Sequence, residues 1–437
     1  MDSAGRTHLR RDIGFVGAAL MVLNGLIGAG IFALPGKVAA NAGLLSPWLF
    51  LVVGLFFLAV VLSFAELASY YEQSGGPVLY ARDAFGPVAG FATGWILFVS
   101  RVSAFAANAT VMALYLGSLE PWFATGAGRA VVISLVTLGL TWANVLGVRD
   151  GVRTMAVFSI LKLTPLLLLV LAGLGEVTAT TLIPAGPYFF EELGSTALLL
   201  VYAYVGFETM AVTAGETKNP RKNLPGALVR TVLMVGFLYF LIVLVFVSVV
   251  DPVDYGTATL VDVGRKLAGP VGAIGITICA VFSIGGNLSQ SILAAPRLLF
   301  SLAENRLLPA PFRRIHPRYS TPDVAIAASG LLALGLALSG TFVQLAVASS
   351  LARLIVYIVC ILALPAIRRA APDRIRDAAF RLRGGYTIPL IGLGICGWLM
   401  LHTTRENWFA LGLLLAIGIG LYALEKRVLQ SREQKQE

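Results

Sequence analysis

Glycine interrupts two apolar stretches of the chain, at Gly28-Ala29-Gly30 and at Val205-Gly206-Phe207-Glu208. In hydrocarbon, unpaired backbone amides and carbonyls cost several kcal/mol each, so non-helical backbone persists only where it lines a cavity or meets a ligand. The half-helix after the first break presents free amides that suit a carboxylate. Carbonyls freed just before Gly206 suit an ammonium group. The paired breaks therefore predict a central binding site, although small residues such as those of the first break are also typical of close helix packing.

The predicted binding residues belong to these two breaks and to the turns before them. They are Gly25, Ile27, Gly28, Ala29, Gly30, Tyr202, Ala203, Val205, Gly206 and Glu208. Glu208 has two explanations, because its carboxylate can cap free helix amides or contact the ligand directly.

Three cations also lie deep inside apolar stretches, namely Lys162, Arg101 and Arg353. A charge there costs about 2.5 kcal/mol or more on insertion scales, so each is a functional candidate. Snorkelling to the interface is the alternative, and these positions are too deep for it to be easy. Lysine can release its proton inside a protein whereas arginine stays charged, so Lys162 is the candidate coupling residue. Arg101 and Arg353 are expected to pair with carboxylates or carbonyls.

The cysteines and histidines do not suggest metal or catalytic chemistry. The three cysteines lie inside apolar stretches without a CxxC spacing, and the three histidines lack metal-ligand spacing. The sequence contains no nucleophile elbow and no phosphate-binding loop. We therefore expect no metal, no cofactor and no enzymatic activity.

The composition indicates a polytopic membrane protein. Hydrophobic residues make up 57% of the 437 residues and charged residues 13%, whereas soluble domains average about 25% charged residues. A membrane helix needs about 20 apolar residues, so we expect an all-α protein with about twelve spans. The predicted spans, numbered in chain order, are 14–36, 44–70, 86–117, 129–146, 153–174, 193–214, 227–250, 266–302, 322–339, 341–365, 386–403 and 408–425.

The net charge of +10 follows from membrane topology and does not indicate a nucleic acid partner. If the N-terminus is cytoplasmic, most of the 33 Lys and Arg residues lie on the inner side, as the positive-inside rule requires. The outer side then holds Lys37, Arg129, Arg265, Lys266 and Arg405. We therefore expect an integral protein of the plasma (inner) membrane, surrounded by the lipid bilayer, with both termini cytoplasmic. The first span lacks a convincing cleavage site and is expected to be retained.

The spacing of the broken helices predicts an internal repeat within one domain, residues 1–437. Spans 1 to 5 and spans 6 to 10 each begin with a broken helix, and because five is odd the second set must run with opposite topology. The predicted repeats are residues 12–175 and 190–368. Two trailing helices, residues 385–425, follow them.

These motifs, in this order, resemble the amino acid, polyamine and organocation permease family, and the resemblance covers about residues 12–425. The matching segments are Gly28-Ala29-Gly30-Ile31-Phe32 with Pro35-Gly36, Ala65-Glu66-Leu67 through Gly75-Gly76-Pro77, Gly206-Phe207-Glu208 with Asn219-Pro220, and Asn287-Leu288 through Pro296-Arg297-Leu298.

The resemblance implies a transporter fold of twelve helices, with a five-plus-five inverted repeat and two trailing helices. It also implies that amides around Gly28 hold an amino acid's carboxylate and that carbonyls around Ala203 to Gly206 hold its amino group. Tyr202 matches an aromatic gating position. Lys162 matches the lysine that replaces a sodium ion between helices 1 and 8 in sodium-independent members. The family pattern assigns no general binding role to Arg101 and Arg353.

The leading interpretation is a sodium-independent secondary transporter that carries amino acids by alternating access, either coupled to protons or by exchange. A polyamine or cationic amino acid antiporter is the first alternative. It is disfavoured because the charges at mid-membrane depth are mainly positive. A membrane sensor that transports nothing is the alternative from another class. The sequence predicts neither the side chain of the substrate nor an accessory subunit.

Overall fold

The computed structural model describes residues 13–73, 75–147, 152–183, 190–212, 214–370, 380–382 and 384–433. The termini that we expect to be cytoplasmic, residues 1–12 and 434–437, lie outside the described residues. The described part is helical, and its only bridge between extended segments joins Ile13 and Thr217.

Sixteen α-helices follow one another along the described chain. Those of the first half are α1 (Phe15–Leu26), α2 (Gly30–Ala42), α3 (Ser46–Tyr70), α4 (Pro77–Phe85), α5 (Pro87–Gly117), α6 (Gly126–Val145) and α7 (Val152–Gly173). Those of the second half are α8 (Ala179–Leu182), α9 (Phe190–Tyr204), α10 (Thr209–Val212), α11 (Pro220–Val249), α12 (Leu260–Glu304), α13 (Asp323–Ser339), α14 (Phe342–Ala370), α15 (Thr387–Leu401) and α16 (Arg405–Glu433).

Each of the twelve predicted spans overlaps a helix. Within the described ranges, nine helical stretches are long and apolar enough to cross a membrane, and α1, α13 and α15 are shorter apolar helices. The chain is therefore an all-helical membrane protein, while the count of twelve crossings and the inverted repeat stay predictions. The segment after span 2 differs from the expected connection, because it contains the helix α4 between Gly76 and Gly86. Span 8 also starts earlier, at Leu260, and bends at Ala268 and Gly269 just before Pro270.

The helix α5 lies at the centre of the molecule. It packs against α6, α12, α13 and α14, and its most apolar segment is fully buried in the protein. By contrast, only 11% of the most apolar segment of α16 is buried. The helix α16 is therefore peripheral. A polar side chain on α5 is therefore shielded from lipid and must find its partners inside the protein.

The two glycine breaks lie against each other between helix segments. Residues 27–29 separate α1 from α2, and residues 205–208 separate α9 from α10. Gly206 has a φ of +108°, a conformation that favours glycine. A Cβ atom built on Gly25 would lie 2.6 Å from the carbonyl oxygen of Gly206, and one built on Gly30 would lie 3.1 Å from Cα of Ala203. The close approach of the two backbones therefore excludes side chains at Gly25 and Gly206.

A buried ion pair joins the ends of α3 and α14. The carboxylate of Glu66 accepts hydrogen bonds from Nε and Nη2 of Arg368 at 2.8 and 2.7 Å and from the amide of Leu382 at 3.1 Å. The hydroxyl of Tyr70 donates to the same carboxylate. These contacts satisfy the buried charge of Glu66 and connect α3 and α14 to the segment that precedes α15.

We expect Gly25→Ala to destabilise the protein by about 1–3 kcal/mol, because the new methyl group must push the two breaks apart. The measurement is the thermal unfolding midpoint of the purified protein in detergent. Gly139→Ala in α6 is the matched control, since the space around its Cβ position is open and the residue is exposed. An equal midpoint for both variants would contradict the close contact between the breaks.

Candidate functional site

A small cavity lies where the two breaks meet, with a volume of about 30 Å³. That is room for about two water molecules. It is lined by Gly25, Leu26, Gly28, Ala29, Gly30, Arg101, Ala104, Asn108, Tyr202, Val205, Gly206, Thr209, Asn287, Gln290, Ser291 and Arg353. The two breaks, α5, α12 and α14 thus converge on one point. A ligand larger than a few atoms can enter only if these helices move apart.

The first break presents the start of α2 to this cavity. Ala29 is the N-cap residue of α2. Its side chain makes no capping hydrogen bond to the first amides of the helix. The amide of Ala29 donates instead to Oδ1 of Asn108 at 3.1 Å. A carboxylate at this place would meet a helix N-terminus and would share or replace the oxygen of Asn108.

The second break presents a carbonyl group on the opposite side. Within the described ranges, no backbone amide donates to the carbonyl of Ala203, whereas the carbonyl of Gly206 accepts from the amide of Thr209 at 3.2 Å. The helix α9 ends at Tyr204, so the carbonyls of its last turn lack the partners that a continuous helix supplies. They can accept hydrogen bonds from an ammonium group.

An amide network connects α5, α12 and the first break. The side chain of Asn108 donates to Oδ1 of Asn287 at 2.7 Å, and Asn287 donates to the carbonyl of Asn24 at 3.1 Å. The hydroxyl of Tyr202 donates to Oδ1 of Asn108 at 3.1 Å. The ring of Tyr202 meets that of Phe342 edge to face, with ring centres 5.6 Å apart. Tyr202 thus covers one side of the cavity and is held there by α5 and α14.

The amino group of Lys162 is fully buried and contacts the first break. Its Nζ donates to the carbonyl of Ile27 at 2.9 Å, and Oγ of Ser283 donates to the same carbonyl at 3.3 Å. A carbonyl that the end of α1 leaves without a helix partner is thereby satisfied from α7 and α12. Any change at Lys162 must act directly on the break.

Three groups of the protein donate hydrogen bonds to the carboxylate of Glu208. It accepts from Nε of Arg353, from the hydroxyl of Tyr357 and from the amide of Gly206, each at 2.9 Å. The turn at Gly206 brings that amide back to the carboxylate. Glu208 binds the amide of Gly206, two residues before it, and not the first amides of α10, so its expected role as a helix cap or a ligand contact stays a prediction.

Arg101 has fewer partners than Arg353 and Glu208. It is 4% exposed, and its Nη2 donates to Oγ1 of Thr209 at 3.2 Å. Its Nε is buried and has no hydrogen-bond partner. Arg353, by contrast, contacts Glu208 and also donates to Oγ of Ser349 at 3.0 Å.

The structure brings most of the predicted binding residues to the cavity surface. Of those residues, the cavity is lined by Gly25, Gly28, Ala29, Gly30, Tyr202, Val205 and Gly206, together with Arg101 and Arg353. Ile27, Ala203, Glu208 and Lys162 lie behind this surface and support it through the contacts described above. Their roles in binding or coupling stay predictions.

The sequence analysis missed several polar residues of this site, chiefly Asn108, Thr209, Tyr357 and Ser283. A signal for Asn108 was present, because it lies seven residues after Arg101 and so shares a face of the same helix. Tyr357 likewise lies four residues after Arg353. Thr209 and Ser283 carried no comparable signal, since hydroxyl side chains are frequent in membrane helices and can bond their own backbone.

A sequence model of a family described as amino acid permease matches residues 13–412 of the chain. The chain is 27% identical to the methylthioribose transporter of Bacillus subtilis, over 96% of this chain and 94% of that protein. It is 29% identical to the serine/threonine exchanger of the same organism, over 96% and 98% of the two chains. It is 30% identical to the human large neutral amino acids transporter small subunit 2, over 74% of this chain and 63% of that one.

We expect Arg353→Gln to destabilise the protein by about 3–5 kcal/mol, because it leaves the carboxylate of Glu208 buried without its ion-pair partner. Chemical unfolding in mixed micelles measures this loss. The double variant Arg353→Gln with Glu208→Gln should recover part of it, since the uncompensated charge is removed. Arg129→Gln, which changes a partly exposed arginine that donates to the carbonyl of Gly340, is the control. If Arg353→Gln is as stable as Arg129→Gln, the ion pair between Arg353 and Glu208 does not contribute to the free energy of unfolding.

Proposed function

The chain belongs to the amino acid permease family, and we propose that it is a sodium-independent secondary transporter that carries amino acids by alternating access. The observation that carries the proposal is the cavity between the breaks, where the start of α2 lies opposite the end of α9, whose last carbonyls lack helix partners. An α-amino acid has the complementary pair of groups. Its carboxylate fits the amides around Gly28 to Gly30, and its ammonium group fits the carbonyls around Ala203 to Gly206. The serine/threonine exchanger, similar over nearly its whole length, supports this substrate class.

Substrate binding at the two breaks is linked to the movement of these breaks relative to each other. The cavity is too small for an amino acid as it stands, so substrate must enter a state in which the breaks have separated. A substrate that contacts both breaks favours the states in which the distance between them matches its own length. The ligand shifts the conformational equilibrium only by the difference between its affinities for the open and closed states. Both breaks must therefore contact it for alternating access to occur.

Lys162 is the proposed coupling residue. Its amino group and the hydroxyl of Ser283 converge on the carbonyl of Ile27, from α7 and α12. A protonated lysine there supplies a fixed positive charge, and carbonyl and hydroxyl oxygens are also the groups that would otherwise ligate a sodium ion. Loss of the proton weakens the bond to Ile27 and frees the end of α1 to move. Proton-coupled transport uses this step, whereas an exchanger keeps Lys162 charged throughout the cycle.

The surroundings of the site do not favour a polyamine or cationic amino acid. The carboxylate of Glu208 is the acid beside the cavity, and three groups of the protein already bind it. A second ammonium group would meet Arg101 and Arg353 at the cavity surface. We also propose that the protein lies in the plasma (inner) membrane with both termini in the cytoplasm, as the positive-inside rule predicts.

The test is uptake of radiolabelled amino acids into proteoliposomes without sodium, with and without an inward proton gradient. We expect saturable uptake by the wild type and loss of its response to the gradient in Lys162→Ala, because the carbonyl of Ile27 loses its closest donor. Lys37→Ala is the matched control, since Lys37 donates to the carbonyl of Gly256 away from the cavity.

The outcomes separate the alternatives. Flux that ignores the gradient and needs amino acid on the far side would identify an exchanger. A wild-type protein that binds amino acids but moves none would favour a sensor. Absence of both binding and flux for every amino acid would overturn the proposal. Uptake that requires sodium, or a Lys162→Ala variant that still responds to the gradient, would remove the coupling role of Lys162.

A further inference from the structure

We infer that Arg101 binds a carboxylate on the side chain of the substrate, so that the substrate class is the acidic amino acids. This inference rests on the proposed function, because it specifies the ligand of the same cavity. Four observations carry it: the burial of Arg101, its missing ion-pair partner, the excess of positive charge around the cavity and the position of Arg101 along α5.

Arg101 is the incompletely paired charge at the cavity. It is 4% exposed and lines the cavity, but its Nε has no partner and its Nη2 contacts only the hydroxyl of Thr209. No carboxylate of the described residues lies within ion-pair distance of it. A guanidinium carries five donors and binds a carboxylate through two parallel hydrogen bonds. Arg101 therefore lines the cavity with one donor that has no partner and with a charge that has no ion-pair partner among the described residues.

On the side of the second break, the charges of Arg101, Arg353 and Glu208 sum to an excess of one positive charge. Lys162 lies behind the first break and adds a further positive charge when it is protonated. Arg101 and Arg353 lie at the cavity surface, and the acidic neighbour is Glu208. Glu208 accepts hydrogen bonds from Gly206, Arg353 and Tyr357, so it is committed to those groups. A zwitterion with a neutral side chain leaves this excess uncompensated, whereas one additional carboxylate removes it. Buried charges without partners are costly, so the site is complementary to an anionic side chain.

The position of Arg101 fits the far end of such a substrate. Asn108 lies beside the first break, because its Oδ1 accepts a hydrogen bond from the amide of Ala29. Arg101 lies seven residues earlier on the same face of α5, about 10 Å along the helix axis. Its long side chain reaches back toward the cavity and contacts Thr209, directly after the second break. An amino acid whose α-carboxylate meets the start of α2 can therefore extend its side chain toward Arg101.

Other polar side chains line the same cavity. They are Gln290 and Ser291 of α12 and Thr209 of α10. A branched aliphatic side chain that covered these groups without bonding them would cost free energy. The polar lining of the cavity is therefore compatible with a polar, charged side chain.

The experiment compares sodium-free uptake of L-glutamate and L-aspartate with that of L-glutamine and L-asparagine in proteoliposomes. Each amide has the same shape and the same α-groups as its acid, so only the side-chain charge differs. We expect the wild type to prefer the acids, and Arg101→Gln to lower the ratio of kcat/KM for glutamate over glutamine by about 30-fold or more. Arg101→Lys keeps the charge but loses the bidentate geometry, so its ratio should be intermediate. Arg129→Gln is the control and should keep the wild-type ratio.

Each outcome has one meaning. A preference for the acids that falls in Arg101→Gln and is partly kept in Arg101→Lys would support the inference. Equal loss for all four substrates in Arg101→Gln would assign Arg101 to the structure or to the α-carboxylate and overturn it. If Arg101→Gln does not fold, the wild-type ratio and the Arg101→Lys ratio decide. Transport of neutral amino acids without the acids would overturn this inference alone, and no transport of any amino acid would overturn the proposed function as well.

Discussion

Backbone groups without helix partners, placed inside a membrane domain, are the constraint on which the rest of this structure depends. The chain stops being helical at residues 27–29 and 205–208, and each stop leaves amides and carbonyls that lipid cannot satisfy. Side chains from other helices form hydrogen bonds with these backbone groups. Asn108 binds the amide of Ala29, while Lys162 and Ser283 bind the carbonyl of Ile27. Several of the polar side chains in the interior of the molecule are thus bonded to the backbone of the breaks.

The same requirement explains why strong charges are tolerated at the centre. Arg353 and Glu208 form a buried pair, and Glu208 also holds the amide of Gly206 in place. A buried pair contributes little net stability but defines one geometry, because removal of either partner leaves a costly charge. The second break thus has a fixed shape, in which the end of α9 and Thr209 line the cavity. Arg101 lacks such a partner, and we propose that it binds a charged group of the ligand.

Close contact between two glycines makes the site responsive to movement. Because Gly25 and Gly206 have no Cβ, the breaks approach until their backbones touch, and the cavity shrinks to about 30 Å³. Small shifts of either half-helix then change the volume and the hydrogen bonds together. Lys162 donates to the first break from the side away from the cavity. In the proposed mechanism its proton and the ligand therefore act on the same few residues, 25–30, and the proposed coupling needs no long pathway through the protein.

The sequence by itself determined the membrane class, the positions of the two breaks and the candidate charges. These follow from local properties, namely apolar runs, glycines inside them and ionisable residues at depth, and each of the twelve predicted spans overlaps a helix. The short helix α4 was missed because a Pro-containing connection and a short helix look alike in sequence. The tertiary structure decided which charges pair. Nothing in the spacing of residues 208 and 353 indicates that Glu208 belongs to Arg353 and leaves Arg101 short of partners. Such pairs form between segments far apart in the chain, where geometry depends on how whole helices pack.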